Sequence, residues 1–190
     1  MKKKKESLFV YSCPNWYIKE EIRKMEIGKC YATEGTIKAK MGHVVITRIA
    51  PDGTLVMGVY MIDLSGSGLR FTDCILDLSS DNFMHLLDTL SDDKRKLEEI
   101  SYELAHNLIY GAIDYAEEIG IEPPKAWQLT QYVLKEDTDD VPLMEFELGV
   151  DGHHIILADT ASEAQYFQKK FDKLGVNESE YVIVNTDEDE

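Results

Sequence analysis

Two apolar stretches separated by a short turn sequence constrain the fold more than any other feature of this chain. Residues 43–49 are rich in Val, Ile and Thr, and residues 55–64 form a longer apolar stretch. The intervening Pro51-Asp52-Gly53 contains residue types that tight turns favour. This pattern predicts a β-hairpin. A third strand at 69–78, after a Ser/Gly turn at 65–68 that we expect to be flexible, extends the hairpin into an antiparallel meander.

Helical periodicity marks several other parts of the chain. Apolar residues recur there at steps of three and four, which is typical of helices that pack one face against a core. Ser79 and Thr160 are candidate N-caps, and Gly120 is a suitable residue to end the longest helix. The predicted helices cover residues 15–26, 81–90, 93–119, 125–135 and 161–174.

The last third of the chain contains a second hairpin signal. Asp151-Gly152 separates two apolar stretches at 143–150 and 153–158, and a short strand is expected at 181–184. The order of elements predicts an α+β fold with an antiparallel β meander, central helices, a late β-hairpin, a helix and a short terminal strand. We expect one domain over 1–190, with a basic N-terminal segment at about 1–42, a core at about 43–184 and an acidic tail at 185–190.

Charge is distributed unevenly along the chain. The 190 residues carry 20 Lys and Arg against 36 Asp and Glu, a net charge of −16. Residues 1–50 contain 11 basic and 5 acidic residues, whereas residues 51–190 contain 9 and 31. This balance argues against a generally basic nucleic-acid-binding protein. It leaves open nucleic-acid contact through an N-terminal basic arm, for which the candidates are Lys2, Lys3, Lys4, Lys5, Lys38, Lys40 and Arg48.

The sequence contains no sign of a membrane or secreted protein. No apolar run approaches the roughly 20 residues of a membrane span, and no signal-peptide-like stretch follows the N-terminal lysines. Three cysteines without a CxxC pair fit a reducing compartment. We therefore expect a cytoplasmic protein with no membrane partner.

The acidic excess suggests a surface for a basic partner. The loop at 136–142 holds four carboxylates in five residues but lacks the glycine and the closing glutamate of an EF-hand calcium loop. We therefore expect an accessory or regulatory protein that binds a protein with a basic surface, such as one that handles nucleic acid, and that needs no cofactor. The oligomeric state stays open. The candidate partner-binding residues are Glu136, Asp137, Asp139, Asp140, Asp114 and Glu117.

The longest predicted helix carries a polar stripe. Glu103, His106 and Tyr110 are spaced by three and four residues, and Asp114 and Glu117 continue the series. Glu103, His106 and Tyr110 are the catalytic candidates, because a carboxylate can orient an imidazole that acts as a general base. The competing interpretation is a partly solvated helix face.

Two further residues of this helix point to packing. Asn107 lies beside the apolar stripe, where its amide needs a buried partner. Gly111 lies in the helix interior, where glycine costs about 1 kcal/mol relative to alanine. We therefore expect another element to approach the helix closely at Gly111.

The late hairpin offers candidate metal ligands. A two-residue turn places Glu145, Glu147 and His154 on one face, together with Ile156. Such a set could bind a divalent ion. It supports a second hypothesis, a small metal-assisted hydrolase that uses His106 or His154, while the competing interpretation is a solvent face. The residues expected on the opposite, core face are Met144, Phe146, Leu148, Ile155 and Leu157.

Three motifs resemble those of a family of uncharacterised bacterial proteins, chiefly from Bacteroidota. They are GVYMID at 58–63, HNLIYGAIDYAE at 106–117 and LTQYVLKEDTDDVPLMEFELGVDG at 129–152. The resemblance covers roughly residues 40–155. It implies a bacterial protein and brings with it no activity or catalytic residue.

Overall fold

The computed structural model describes residues 19–91 and 95–186, and it confirms a mixed α+β fold. The strands are β1 (Glu26–Thr33), β2 (Met41–Ile49), β3 (Leu55–Asp63), β4 (Gly68–Leu78), β5 (Leu97–Ile100), β6 (His154–Ala158) and β7 (Tyr181–Asn185). The helices are α1 (Thr36–Ala39), α2 (Ser80–Leu90), α3 (Tyr102–Glu118), α4 (Trp127–Thr130) and α5 (Ala161–Leu174). No helix among the described residues is long and apolar enough to cross a membrane.

The predicted meander forms the centre of a five-stranded antiparallel sheet in the order β4-β3-β2-β1-β5. The β2–β3 hairpin has the expected register, with Ile49 opposite Leu55. Its turn is closed by the Ala50 amide, which donates to the Thr54 carbonyl at 2.9 Å. The Asp52 carboxylate accepts from the Thr54 amide at 3.0 Å, so the local turn chemistry fixes this hairpin.

One helix covers each face of the large sheet. Val44 and Ile46 of β2 point into a core with α3, whereas Val45 between them points into a core with α2. Strand side chains alternate between the two faces, so both faces of β2 must be apolar. α2 matches its predicted extent, and the Ser79 hydroxyl accepts from the Asn82 amide.

A smaller unit follows the large sheet. β6 and β7 pair in parallel, and α5 connects them. Thr160 caps α5 as predicted, with its hydroxyl accepting from the Glu163 amide. Ile156, Phe171 and Tyr181 form the core of this unit together with Ala116 and Ile119 from the end of α3. Residues from α3 therefore belong to two cores.

The Ser/Gly turn between β3 and β4, which the sequence predicted to be flexible, is buried and hydrogen-bonded. Asp63 is fully buried, and its carboxylate accepts hydrogen bonds from the amide and the hydroxyl of Ser65. The Ser65 carbonyl accepts from the Ile155 amide at 2.7 Å, which joins the turn to β6. Gly66 faces the backbone of Ile155 so closely that a Cβ atom would lie 2.8 Å from its nitrogen. Short side chains are therefore needed for packing at this turn.

The predicted helix at 15–26 is only partly confirmed, because Lys19 and Glu20 are helical but the helix does not continue to residue 26. Residues 15–18 lie outside the described residues; Ile22–Lys24 is a single 3-10 turn, and Glu26 already starts β1. Strand β1 pairs with β2 on one side and β5 on the other. These non-local pairings override the local helical spacing.

Two other predicted helices are shorter than expected. Leu97–Ile100 is the edge strand β5, and α3 starts only at Tyr102, because the Ser101 hydroxyl caps it by accepting from the Leu104 amide. Residues 93 and 94 lie outside the described part of the chain. In place of a helix at 125–135, α4 spans Trp127–Thr130, and a 3-10 turn follows.

The late hairpin is reduced to its turn. Val150 and His153 form a single bridge across Asp151-Gly152, and β6 then pairs with β7. The residues before this turn do not pair with β6. The Gly149 amide instead donates to the Leu64 carbonyl, just after β3, at 2.8 Å. The predicted faces are wrong for β6, which buries His154, Ile156 and Ala158, whereas Phe146 and Leu148 pack against the core as predicted. Leu174, the last residue of α5, is exposed.

Candidate functional site: an acidic surface over helix α3

Asn107 anchors the segment that follows the acidic loop to α3. Its side-chain amide donates to the carbonyls of Glu103 at 2.7 Å and Pro142 at 3.0 Å. Its carbonyl oxygen accepts from the Met144 amide at 3.0 Å. The expectation that Asn107 has buried partners is confirmed, because these three contacts satisfy both ends of the amide.

Gly111 receives the next part of the same segment. The Phe146 ring lies against it, and a Cβ atom at this position would lie 3.2 Å from the ring. The predicted close approach is confirmed. Glycine here lets the chain after the acidic loop lie directly on the helix.

The other end of the acidic loop is held by Arg23. Its Nε donates to the Leu134 carbonyl at 3.0 Å, and Nη1 forms an ion pair with Glu136 at 2.6 Å. The Tyr102 hydroxyl accepts from the Lys135 amide at 2.7 Å. Both ends of the loop are therefore fixed over α3, although the loop itself has no regular secondary structure.

His106 is buried beneath this loop, not placed on a solvated face. Its side chain is 2% exposed, and its ring lies 5.7 Å from the ring of Tyr102 and 4.6 Å from that of Tyr110. Its Nε2 atom has no hydrogen-bond partner within the described residues. His106 lines a cavity of about 290 Å³ together with Asp137 and Asp139.

Burial governs the protonation of His106. Loss of solvation lowers its pKa below the ordinary value of 6.5, and the carboxylate of Asp137 and the backbone of Glu136 and Lys135 only partly oppose this effect. At neutral pH the imidazole is therefore mainly uncharged.

Carboxylates from the loop and from α3 share one surface. Desolvation is the main cause that raises the pKa of Asp114, and repulsion from Asp137, Glu117 and Glu118 raises it further. Asp114 and Glu117 are exposed on α3, so the helix and the loop contribute to the same acidic surface. Burial also raises the pKa of Tyr110 to about 12, which keeps this hydroxyl protonated.

The remaining predicted partner-binding residues have different surroundings. Asp139 lines the cavity of His106, and Asp140 is exposed beside it. Glu136 is partly neutralised by Arg23. Residues 101–142 contain nine Asp and Glu against two Lys, so most of this acidity is not balanced locally. We define the acidic surface as Asp114, Glu117, Asp137, Asp139 and Asp140.

The predicted metal ligands are not brought together. His154 is buried and stacks on Tyr115, with the ring centroids 3.8 Å apart. Glu147 approaches Lys40 at 3.4 Å, and Glu145 is exposed. Across residues 19–91 and 95–186, no group of three His, Cys, Asp or Glu side chains could hold a metal ion.

His154 and His106 belong to different surroundings. Tyr115, which stacks on His154, is nine residues further along α3 than His106, or about 14 Å along the helix axis. Glu118 approaches His154 Nε2 at 3.6 Å, yet burial lowers the pKa of this imidazole as well. The third catalytic candidate, Glu103, contacts this part of α3 through its backbone carbonyl, which accepts a hydrogen bond from the Asn107 side chain.

The basic candidates are only partly available. Lys38 is exposed, but Lys40 donates to the Glu147 carbonyl at 2.8 Å. Arg48 is buried and donates to the carbonyls of Val133 and Met25, so its proposed contact with nucleic acid is wrong. The N-terminal candidates and the end of the acidic tail lie outside the described residues; these are Lys2, Lys3, Lys4, Lys5 and residues 187–190.

Sequence reasoning missed the residues that position the acidic loop. Arg23 and Tyr102 hold its start through contacts with a sequence separation of more than 30 residues, and no local pattern marks such contacts.

Comparison with protein-family models, with curated proteins and with solved structures finds no match to this chain. The resemblance to a bacterial family therefore stays a prediction.

Proposed function

We propose that this protein is an accessory or regulatory protein that binds a partner with a basic surface through the acidic surface on α3. The observation that carries the proposal is the closeness of like charges: desolvation raises the pKa of Asp114 most, and repulsion from Asp137 and Glu117 raises it further. Like charges that are held together without a local cation favour a ligand that brings positive charge.

The cavity of His106 supports the same proposal. An arginine or lysine side chain that enters it meets the carboxylates of Asp137 and Asp139 at its lining. The neutral imidazole adds no opposing charge, because burial lowers its pKa. A charged guanidinium can donate up to five hydrogen bonds, so it suits the carboxylates of Asp137 and Asp139 in this lining.

Binding is favoured over metal-assisted hydrolysis by the positions of the two histidines. A hydrolase needs its imidazole, carboxylates and reacting water in one concave site. His106 and His154 lie in separate surroundings on α3, and the candidate ligands Glu145 and Glu147 lie apart from His154. We propose as partner a cytoplasmic protein that handles nucleic acid. Such a protein has a basic groove, and it occupies the compartment that the sequence predicts for this chain.

A labelled twelve-residue peptide of alternating Arg and Gly tests the charge preference. We expect the peptide to bind at 50 mM NaCl, as measured by fluorescence anisotropy, and to bind at least fivefold more weakly at 300 mM NaCl. A matched peptide of alternating Glu and Gly should not bind. If neither peptide binds at low salt, the proposal is wrong.

Matched charge removals locate the binding. Asp114→Asn, Glu117→Gln and Asp137→Asn together remove three charges from the acidic surface, and we expect this variant to bind about tenfold more weakly, since 1.4 kcal/mol corresponds to a tenfold change. The control variant Glu34→Gln, Asp88→Asn and Glu178→Gln removes three exposed charges elsewhere. Equal losses in both variants would show that only net charge matters and would contradict the assignment to α3.

A further inference from the structure

A second cavity lies where the two units of the structure meet. It measures about 240 Å³, and its walls come from β4, β6, α5 and the segment after α3. Its lining includes a hydroxyl, a guanidinium, two carboxylates and apolar side chains, among them Ser67, Arg70, Glu122, Glu163, Ile121 and Phe167. Polar groups that converge on a partly apolar cavity are typical of small-molecule sites.

Ser67 supplies an unsatisfied polar group in this lining. The residue is 8% exposed, and its Oγ atom is buried with no hydrogen-bond partner among the described residues. The neighbouring Ser65 differs, because its hydroxyl contacts the Asp63 carboxylate and lies 3.2 Å from the Ile155 carbonyl. A buried hydroxyl without a partner costs about 1–3 kcal/mol. A ligand that bonds to Ser67 after its hydroxyl has rotated toward the cavity therefore removes a cost that the unliganded protein carries.

Arg70 supplies a cation that is held only loosely. Its side chain is 19% exposed, and Nη2 lies 3.2 Å from Asp159, whose side chain is 68% exposed. This distance exceeds the 2.7–2.9 Å of strong charge-assisted hydrogen bonds. The guanidinium can therefore exchange this partner for a ligand carboxylate, which it can bind in a bidentate manner.

Glu122 and Glu163 place negative charge at the same cavity. Glu163 also accepts from the Asp159 amide at 2.8 Å, which fixes its position at the start of α5. A simple anion is attracted by Arg70 but repelled by the two carboxylates, and a simple amine meets the reverse situation. A ligand that carries one charge of each sign satisfies both sets of groups.

We propose that this cavity binds a free α-amino acid with an apolar side chain. The ligand carboxylate accepts from Arg70 and Ser67, the ammonium group donates to Glu122 or Glu163, and the side chain packs against Ile121 and Phe167. The volume of about 240 Å³ lies below the roughly 300–1,000 Å³ of pockets for drug-sized ligands, which suits a small ligand of this class.

Calorimetric titration of the full chain with leucine tests the proposal directly. We expect saturable binding with a dissociation constant at or below 1 mM. Leucinamide lacks the carboxylate and 4-methylpentanoate lacks the ammonium group, and we expect each to bind at least tenfold more weakly. The proposal is overturned if leucine, isoleucine and phenylalanine all give no heat at 10 mM, or if the two analogues bind as well as leucine.

Three single variants test the assigned roles. Arg70→Gln and Glu122→Gln should each weaken leucine binding at least tenfold, whereas Lys173→Gln, an exposed change on α5, should leave binding within twofold. Ser67→Ala should weaken binding at least fivefold while the melting temperature without ligand stays the same or rises, because the variant removes an unsatisfied hydroxyl. Unchanged leucine binding in both Ser67→Ala and Arg70→Gln would overturn the proposal.

Discussion

Replacing Asn107 by alanine should loosen the attachment of the chain that follows the acidic loop. Two hydrogen bonds cross from this side chain to Pro142 and Met144, and each contributes about 1 kcal/mol. The void left by the buried amide costs up to about 1 kcal/mol more, while alanine recovers about 0.6 kcal/mol of helix propensity. We therefore expect the free energy of unfolding to fall by about 2 kcal/mol.

Urea unfolding followed by circular dichroism measures this change, and hydrogen exchange locates it. The Met144 amide loses its acceptor, so its exchange should accelerate about 30-fold, the factor that corresponds to 2 kcal/mol. Gln128→Ala, which removes an exposed amide on α4, is the matched control and should change neither quantity. If Met144 exchanges at the same rate in both variants, Asn107 does not anchor this segment.

Three further predictions concern the buried groups. Burial lowers the pKa of His106 and His154, so below about pH 6.5 the unfolded state binds more protons than the folded state. The urea midpoint of unfolding should therefore fall as the pH drops from 6.5 through the lower pKa values of the folded protein. His106→Gln should weaken this pH dependence. Gly66→Ala places a Cβ atom 2.8 Å from the Ile155 nitrogen and should cost about 2 kcal/mol in thermal unfolding. Burial raises the pKa of Cys30 to about 11, so at pH 8 iodoacetamide should modify it more than tenfold faster in urea than in the folded protein, by peptide mass spectrometry.

The parts of the fold that sequence predicts are those whose signals are local. The β2–β3 hairpin follows from Asp52 and Gly53, and α5 follows from the Thr160 cap and its apolar spacing. β5 was missed because Leu97 and Ile100 are three residues apart, a spacing that also fits a helix. Their strand conformation depends on pairing with β1, which lies about 70 residues earlier in the chain.

In the candidate site too, the sequence predicts the features with local signals and misses those that depend on distant contacts. The sequence places His106, Tyr110 and Asp114 on one stripe of α3, and the charge of Asp137 acts on all three. The burial of His106 could not be predicted, because the loop that covers it is held by Arg23 from the other end of the chain. Alternation in β6 is also ambiguous, since apolar residues occupy both of its faces.

The contact between the Ser65 turn and Ile155 has a consequence for the order of folding. It closes a loop of 90 residues, whereas the β2–β3 hairpin closes one of only a few residues. Loop closure costs more entropy as the separation grows, so we expect the hairpin to form early and the contact with β6 to form late. During synthesis the large sheet can assemble before residue 155 has left the ribosome. The amino-acid cavity, which needs β4 and α5 together, is then completed only after the large sheet has formed.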